Sequence, residues 1–295
     1  MDKKLLFIYN QYAGKAKIKN HLANILDIFT KAGYEVTVHP TQAAGDARET
    51  VNKRAEEFDL LVCSGGDGTF DEVVSGIVDL GIQIPLGYIP AGSTNDFATS
   101  LKLPKAMPAA AKVAVGGRRY MCDLGHFNDD IFVYIAAFGL FTDVSYETPQ
   151  EVKNVLGHLA YLLEGMKKLS SIRSYKLRIK ADDRIISGEY IYGMITNSTS
   201  VGGFKMISGN SVKLNDGRFE VTLVKAPKNP LDLQKIISSL LTAESETDSI
   251  CCIKASKLTI ESEEEIAWTL DGEFGGNHKF VEIWDEKKGF CIQIP

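Results

Sequence analysis

Six residues, Ser64-Gly65-Gly66-Asp67-Gly68-Thr69, set three glycines and a carboxylate between an apolar run and a helical pattern. Glycine admits positive φ and lets a ligand approach the backbone closely. Successive N–H groups leading into a helix N-terminus can cradle phosphate oxygens. The loop is not a Walker loop, because GxxxxGK(S/T) occurs nowhere in the chain. Nor is it the dinucleotide fingerprint, because Asp71 stands where the third glycine of GxGxxG belongs. Taken alone, the loop reads equally well as a tight βα turn with Asp67 or Thr69 capping the helix.

The neighbouring loops tip the reading toward chemistry. Pro90-Ala91-Gly92-Ser93-Thr94-Asn95-Asp96-Phe97-Ala98 is small and polar, and so is Asn10-Gln11-Tyr12-Ala13-Gly14-Lys15. A further apolar run ends Cys122-Asp123-Leu124-Gly125. Four successive strand ends thus carry phosphate-compatible backbone or a carboxylate. Asp67, Asp96 and Asp123 are expected to converge as an acidic cluster for magnesium, a hard cation that prefers oxygen ligands and often acts through water. Separately, Asp96 would be a helix N-cap and Asp123 a turn residue. Their conjunction points to an anion-plus-cation site.

Periodicity supplies the elements that must hold these loops. Leu5–Tyr9, Val36–His39, Leu60–Ser64, Pro85–Ile89 and Tyr120–Leu124 read as strands. Between them, Leu22, Ile25, Leu26 and Phe29 recur at helical spacing before Gly33, and Phe70, Val73, Val74 and Ile77 do the same. Asp46–Phe58 and Lys105–Val115 complete the helices. Strands separated by helices imply an α/β domain with a parallel sheet, whose ligands sit beyond the carboxyl ends of the strands. After Gly125 the texture changes. One long helical pattern, Gln150–Leu169, precedes short β-rich runs at Tyr175–Ala181, Ile185–Tyr192, Phe219–Lys225, Leu258–Ser262, Ile266–Leu270, Lys279–Trp284 and Phe290–Ile294. A helix near Leu231–Leu241 interrupts them. An antiparallel β-sandwich is expected there. The expected domains are 1–125 and 126–289, with the final strand near 290–295 free to return to the first.

Composition removes several classes of function. The 295 residues carry 33 Lys+Arg against 38 Asp+Glu, a formal charge of −5, which opposes a basic nucleic-acid footprint. The longest nearly apolar run, Ile131–Phe141, is far short of the roughly 20 residues that span a bilayer. The opening MDKKLLFIYNQ is too short in apolar residues for a signal-peptide core. Cys63, Cys122, Cys251, Cys252 and Cys291 form no CxxC pair and read as reduced cytoplasmic thiols. His21, His39, His126, His158 and His278 lack metal-ligand spacing, which removes a metal-hydrolase reading.

Gly65-Gly66-Asp67-Gly68-Thr69, Pro90–Ala98 and Leu270-Asp271-Gly272-Glu273 together resemble the diacylglycerol kinase catalytic-domain family, which includes soluble bacterial diacylglycerol kinases and sphingosine and ceramide kinases. The first motif is shared with NAD kinases. Its combination with the second and third carries the resemblance from Asn10 to Glu273. The resemblance implies a nucleotide-binding α/β domain, a C-terminal β-sandwich forming much of a lipid pocket, and ATP-dependent phosphorylation of a lipid hydroxyl. By position, it implies ATP contacts at Asn10, Gln11, Tyr12, Ala13, Gly14, Thr41, Gly65, Gly66, Asp67, Gly68, Thr69, Phe70, Asp71, Glu72 and Thr94. Gln11 replaces a proline frequent in the family's first loop. Magnesium would be bridged to Asp67, Asp96 and Asp123, partly through water.

The four residues Leu270-Asp271-Gly272-Glu273 alone favour a hairpin turn. With the resemblance, Glu273 becomes the expected proton acceptor for the attacking hydroxyl and Asp271 its close rival, two residues apart and on one face if extended. Val212–Arg218 resembles a structural magnesium loop using the Asp216 carboxylate and the carbonyls of Lys213 and Arg218, or else is a plain Asn-Asp-Gly turn. A lipid acceptor implies peripheral membrane docking, with Lys15, Lys17, Lys19, Lys167, Lys168 and Arg173 as the candidate basic patch. A homodimer is admitted. Two other functions remain open at this point: phosphorylation of a ribose hydroxyl in the manner of an NAD kinase, and a non-catalytic nucleotide- or lipid-binding module.

Overall fold

The computed structural model describes residues 3–140, 172–198, 200–201, 204–205, 213–242 and 247–295. The helical pattern at Gln150–Leu169, with Lys167 and Lys168, lies outside the described residues, as does Val212. The chain divides into two compact units, one of Met1–Asp123 with Lys287–Pro295 and one of Leu124–Glu286.

The first unit alternates strands and helices: β1 (Lys3–Tyr9), α1 (Ile18–Lys31), β2 (Tyr34–Pro40), α2 (Asp46–Arg54), a single 3-10 turn (Ala55–Glu57), β3 (Leu60–Gly65), α3 (Asp67–Leu80), β4 (Pro85–Pro90), α4 (Asp96–Ser100), α5 (Met107–Gly116) and the start of β5 (Arg118–Phe127). The strand order β2-β1-β3-β4 is parallel, with Leu5 opposite both Val36 and Leu60, and Leu61 opposite Leu86. Leu5–Ile8 of β1 and every residue of β3 are buried, as a sheet covered on both faces requires. Ile25 and Phe29 of α1 are fully buried and Leu22 and Leu26 partly so, and the Phe29 ring meets Phe7 edge-on at 5.4 Å. Because β2 and β3 flank β1 on opposite sides, the winding reverses between β1 and β3. Ligands of such sheets sit outside the strand ends at that point. The last residues of the chain close this sheet, with Cys291 and Ile292 parallel to Pro85 and Leu86.

The second unit holds the rest of β5, then β6 (Asp130–Phe132), β7 (Ile135–Gly139), β8 (Tyr175–Ala181), β9 (Arg184–Thr196), β10 (Ser200–Val201), β11 (Phe204–Lys205), β12 (Phe219–Lys225), α6 (Pro230–Thr242), β13 (Ile250–Ala255), β14 (Lys257–Leu270) and most of β15 (Glu273–Ile294). Its pairings are antiparallel, in the order β13-β12-β9-β7-β14-β15, with β8 joined to both β9 and β14. Tyr175, Leu177, Ile179 and Ala181 of β8 alternate with exposed residues and face the core. Fully buried Trp268 anchors that core, its ring 5.0 Å from Phe127 and 4.8 Å from Phe138.

Three expectations are corrected. The runs Lys279–Trp284 and Phe290–Ile294 belong to one strand, β15. The strand expected over Tyr120–Leu124 extends to Phe127, because Gly125, His126 and Phe127 pair with Phe132, Ile131 and Asp130. Asp123 therefore lies inside a strand and not at its end. The runs Leu258–Ser262 and Ile266–Leu270 are one strand, β14, whose pairing with β15 shifts register between Glu261 and Ile266.

Candidate active site

In the first unit, three loops leave the carboxyl ends of β1, β3 and β4 side by side. The backbone ladder continues past the strands: Asn10 N–H donates to Ser64 O at 2.8 Å and Ala91 N–H donates to Gly65 O at 2.8 Å. The loops then approach too closely for side chains. A Cβ on Gly92 would lie 2.6 Å from Gly66 Cα, and one on Gly14, whose φ is +57°, would lie 2.4 Å from Ala91 O. Glycine at positions 14 and 92 is therefore required by packing between backbones. Gly68 differs, because a Cβ there meets nothing within 4 Å.

The Pro90–Ala98 loop is closed by Asn95, which sits at φ +54°. Its Oδ1 accepts from Gly92 N–H and its Nδ2 donates to Gly92 O, both at 2.8 Å. This clasp was missing from the expected site residues. The signal in the sequence is Gly-x-x-Asn, a side chain able to satisfy both backbone groups of the glycine and to tolerate the left-handed region. Tyr88 was also missing. It is buried beneath the glycine loop and donates its hydroxyl to Gly65 O at 3.2 Å.

Asp67 opens α3, whose N-terminus has no side-chain cap. Asp67 Oδ2 accepts from Asp96 N–H at 3.1 Å and from the Thr94 hydroxyl at 3.3 Å, while Oδ1 accepts from Phe97 N–H at 3.4 Å. One carboxylate thereby ties the β3–α3 loop to the start of α4. Burial, and next the Asp96 charge, push the Asp67 carboxyl above the ordinary carboxylate range, against the pull of these hydrogen bonds. Asp96 and Asp123 are buried as well, and Asp123 Oδ1 accepts from Lys288 N–H at 2.9 Å.

The remaining expected ATP contacts fall into different surroundings. Asn10 Nδ2 donates to Thr69 Oγ1 at 3.4 Å, and its Oδ1 accepts from Tyr12 N–H at 2.9 Å, which folds the Asn10–Gly14 turn. Thr41 is buried and its N–H donates to Tyr9 O at 2.9 Å. Tyr12 projects into solvent with Lys19 Nζ 5.3 Å from its ring centroid. The Phe70 side chain belongs to the core, packed on Tyr88, Phe97 and Phe290. Glu72 accepts from Gly45 N–H at 2.9 Å and Ala47 N–H at 3.1 Å, so it serves the first turn of α2.

In the second unit, Asp271 and Gly272 form the two-residue turn joining β14 to β15, with φ of +50° and +93° and Leu270 opposite Glu273. The extended geometry that would place Asp271 and Glu273 on one face does not hold at this turn. Asp271 is buried and its carboxylate is taken up by backbone: Oδ2 accepts from Val133 N–H at 2.5 Å, and Oδ1 from Tyr134 N–H at 3.0 Å and Ile135 N–H at 2.9 Å. Glu273 is exposed. Glu273 is the accessible carboxylate of the two, and the Asp271 carboxylate clamps residues 133–135. In the Lys213–Arg218 turn, Gly217 is at φ +75° and Asp216 Oδ1 is buried without a hydrogen-bond partner among the described residues.

Residues 4–127 match the diacylglycerol kinase catalytic domain, and residues 138–282 match the YegS C-terminal NAD kinase beta sandwich-like domain. Diacylglycerol kinase of Bacillus subtilis (strain 168) is 38% identical over 277 residues, covering 93% of this chain and 91% of that protein. The chain belongs to the diacylglycerol kinase family. Diacylglycerol kinase of Staphylococcus epidermidis (strain ATCC 12228 / FDA PCI 1200) is 35% identical over 304 residues, covering 100% of this chain and 96% of the relative. A crystal structure of a diacylglycerol kinase from Bacillus anthracis str. Sterne has the same fold, with a TM-score of 0.77 at 24% identity over 100% of this chain and 97% of that one. The chain is a lipid kinase. Asn10 to Asp123 fall inside the first matched domain, and Lys213 to Glu273 inside the second.

Proposed function

We propose that this lipid kinase transfers the γ-phosphoryl group of ATP to the free hydroxyl of diacylglycerol, giving phosphatidic acid. The observation that carries this reading is the pair of loops at 65–69 and 91–95. They pack backbone on backbone with Asp67 bridging them, in a family whose matched domain is a diacylglycerol kinase catalytic domain.

Phosphoryl transfer asks a protein for positioning and charge stabilisation more than for covalent chemistry. The backbone N–H groups of Gly65 to Thr69, at the uncapped start of α3, are suited to the phosphates of ATP. Asn10 and Gly14 shape the adjoining wall. Magnesium fits the donor set, because buried Asp67 and Asp96 repel each other and a hard cation relieves that repulsion. Among the described residues no three His, Cys, Asp or Glu side chains converge to ligate a metal directly. Asp67, Asp96 and Asp123 would accordingly hold it through water, where it supplies neutralisation of phosphate charge. Glu273 takes the proton of the attacking hydroxyl. A second, structural magnesium suits the Lys213–Arg218 turn: Asp216 Oδ1 is buried without a hydrogen-bond partner among the described residues, and with the carbonyls of Lys213 and Arg218, which the family resemblance implies, it would hold the ion.

Radiolabelled ATP with a panel of lipids in mixed micelles, and with NAD in a parallel reaction, tests the reading. Label is expected in phosphatidic acid. Label in NADP, or in no lipid of the panel, overturns it.

Among the described residues no helix is long and apolar enough to cross a membrane. The reading includes a cytoplasmic enzyme that meets its lipid peripherally, with a homodimer admitted. Lys15, Lys17 and Lys19 are exposed, and Lys19 Nζ lies over the exposed Tyr12 ring. Arg173 leaves the patch, since its Nη2 pairs with Glu264 at 3.3 Å. Each cation near an anionic leaflet contributes about 1 kcal/mol, so three give a weak, reversible hold. Sedimentation with anionic vesicles is expected to fall with salt and to drop severalfold when Lys15, Lys17 and Lys19 are all changed to Glu. Equal binding by the triple variant would remove this patch from the docking surface.

A further inference from the structure

The segment that follows the Asp216 turn carries a charged cluster outside the active site. Glu220 on β12 and Lys254 on β13 stand opposite each other in the strand register. Lys254 Nζ lies 2.8 Å from Glu220 Oε1 and 4.0 Å from Asp216 Oδ2. The Glu220 side chain is 4% exposed and that of Lys254 is 32% exposed. Apart from this ammonium and the residue's own backbone N–H, neither Glu220 oxygen has a hydrogen-bond partner among the described residues, and Asp216 Oδ1 has none.

Two carboxylates thus share one ammonium, and three of their oxygens are buried. A buried carboxylate is tolerated when its charge is paired and its lone pairs are satisfied. One monovalent group leaves this cluster a charge short and most of its lone pairs unused. A divalent cation corrects both deficits, because it carries the missing charge and takes several oxygen ligands, water included. The ammonium sits on a flexible four-carbon stem and is already partly in solvent, so it can give way.

We propose that Glu220 is a further carboxylate of the cation site at Asp216, and that Lys254 is its resident counter-charge, displaced toward solvent when a divalent ion binds. This rests on reading the Asp216 turn as a magnesium site. The metal-free chain is held by its own lysine, and the ion competes with that lysine for the same oxygens.

Mn²⁺ binding to the full chain without nucleotide, followed by electron paramagnetic resonance of the free ion, tests the proposal. Asp216→Asn is expected to remove one class of Mn²⁺ site and so identifies the signal. Relative to wild type, Lys254→Met should tighten that site about tenfold or more, and Glu220→Gln should weaken it by a similar factor. Thermal unfolding with and without MgCl₂ gives a second readout, in which Lys254→Met gains more from the ion than wild type does. If Lys254→Met does not fold without metal, Glu220→Gln/Lys254→Met replaces it, and it should bind Mn²⁺ more tightly than Glu220→Gln alone because the competing lysine charge is gone; equal affinity of the two overturns the role of Lys254. Unchanged affinity in Lys254→Met and Glu220→Gln overturns the roles of both residues. Retention of every Mn²⁺ site in Asp216→Asn overturns the underlying reading of the turn instead.

Discussion

Asp67→Asn is expected to lower kcat by roughly 10²–10³ while leaving the folded chain at least as stable as wild type near neutral pH. The amide keeps an oxygen that accepts from Asp96 N–H and the Thr94 hydroxyl, so the two loops stay joined, and it gives up only the long 3.4 Å hydrogen bond from Phe97 N–H. What disappears is the charge. Folding raises the Asp67 pKa, first by burial and then by the charge of Asp96. The folded chain therefore binds that proton more tightly than the unfolded chain does. Stability from this site is greatest with the carboxyl protonated, and it falls as pH rises from the ordinary carboxylate range through the raised value. Asparagine lacks that loss. Steady-state kinetics at saturating ATP, with melting curves recorded on both sides of the carboxylate range, check the two halves together. A folded Asp67→Asn protein with near-normal turnover would sink the assignment.

Glu273→Gln and Asp271→Asn should separate by the property each disturbs. Glutamine at 273 keeps shape and polarity but cannot accept a proton as a carboxylate does, so kcat should drop by roughly 10²–10⁴ with little change in ATP affinity or melting temperature. Asparagine at 271 turns an NH₂ group toward backbone N–H groups that now point at oxygen. Charge-assisted hydrogen bonds are worth about 1.5–3 kcal/mol each, so a stability loss of about 3 kcal/mol is expected, with kcat largely retained in whatever remains folded. Crippled turnover in a stable Asp271→Asn protein, alongside a mild Glu273→Gln, would reverse their roles.

The contrast between these two carboxylates shows what a sequence can and cannot display. Asp271-Gly272 is a strong local hairpin signal, and the turn is there. The three amides that consume the Asp271 carboxylate come from residues 133–135, more than 130 positions away, and nothing local announces them. The same division runs through the first unit. The buried run Leu60–Ser64 and the helical spacing of Phe70, Val73, Val74 and Ile77 are set by short-range periodicity and were readable. The extension of β5 past Asp123 depends on a partner strand at Asp130–Phe132, and the packing of Gly92 on Gly66 depends on two loops meeting. Glu72 and Phe70 lie within or beside the glycine motif in sequence, yet one serves a neighbouring helix and the other the core. Adjacency along the chain does not tell which side of a helix faces a ligand.

Residues 287–295 belong to the unit begun by Met1, although all of Leu124–Glu286 is synthesised between them. On the ribosome the first unit must therefore wait for its last strand. Until Cys291 and Ile292 emerge, β4 presents an unpaired edge at Pro85 and Leu86, and Phe70 and Phe97 lack the Phe290 ring that packs against them. The aromatic floor beneath the glycine loops thus locks only after all of Leu124–Glu286 has been made. A nascent chain halted at Glu286 would hold every proposed catalytic carboxylate and still lack a finished first unit.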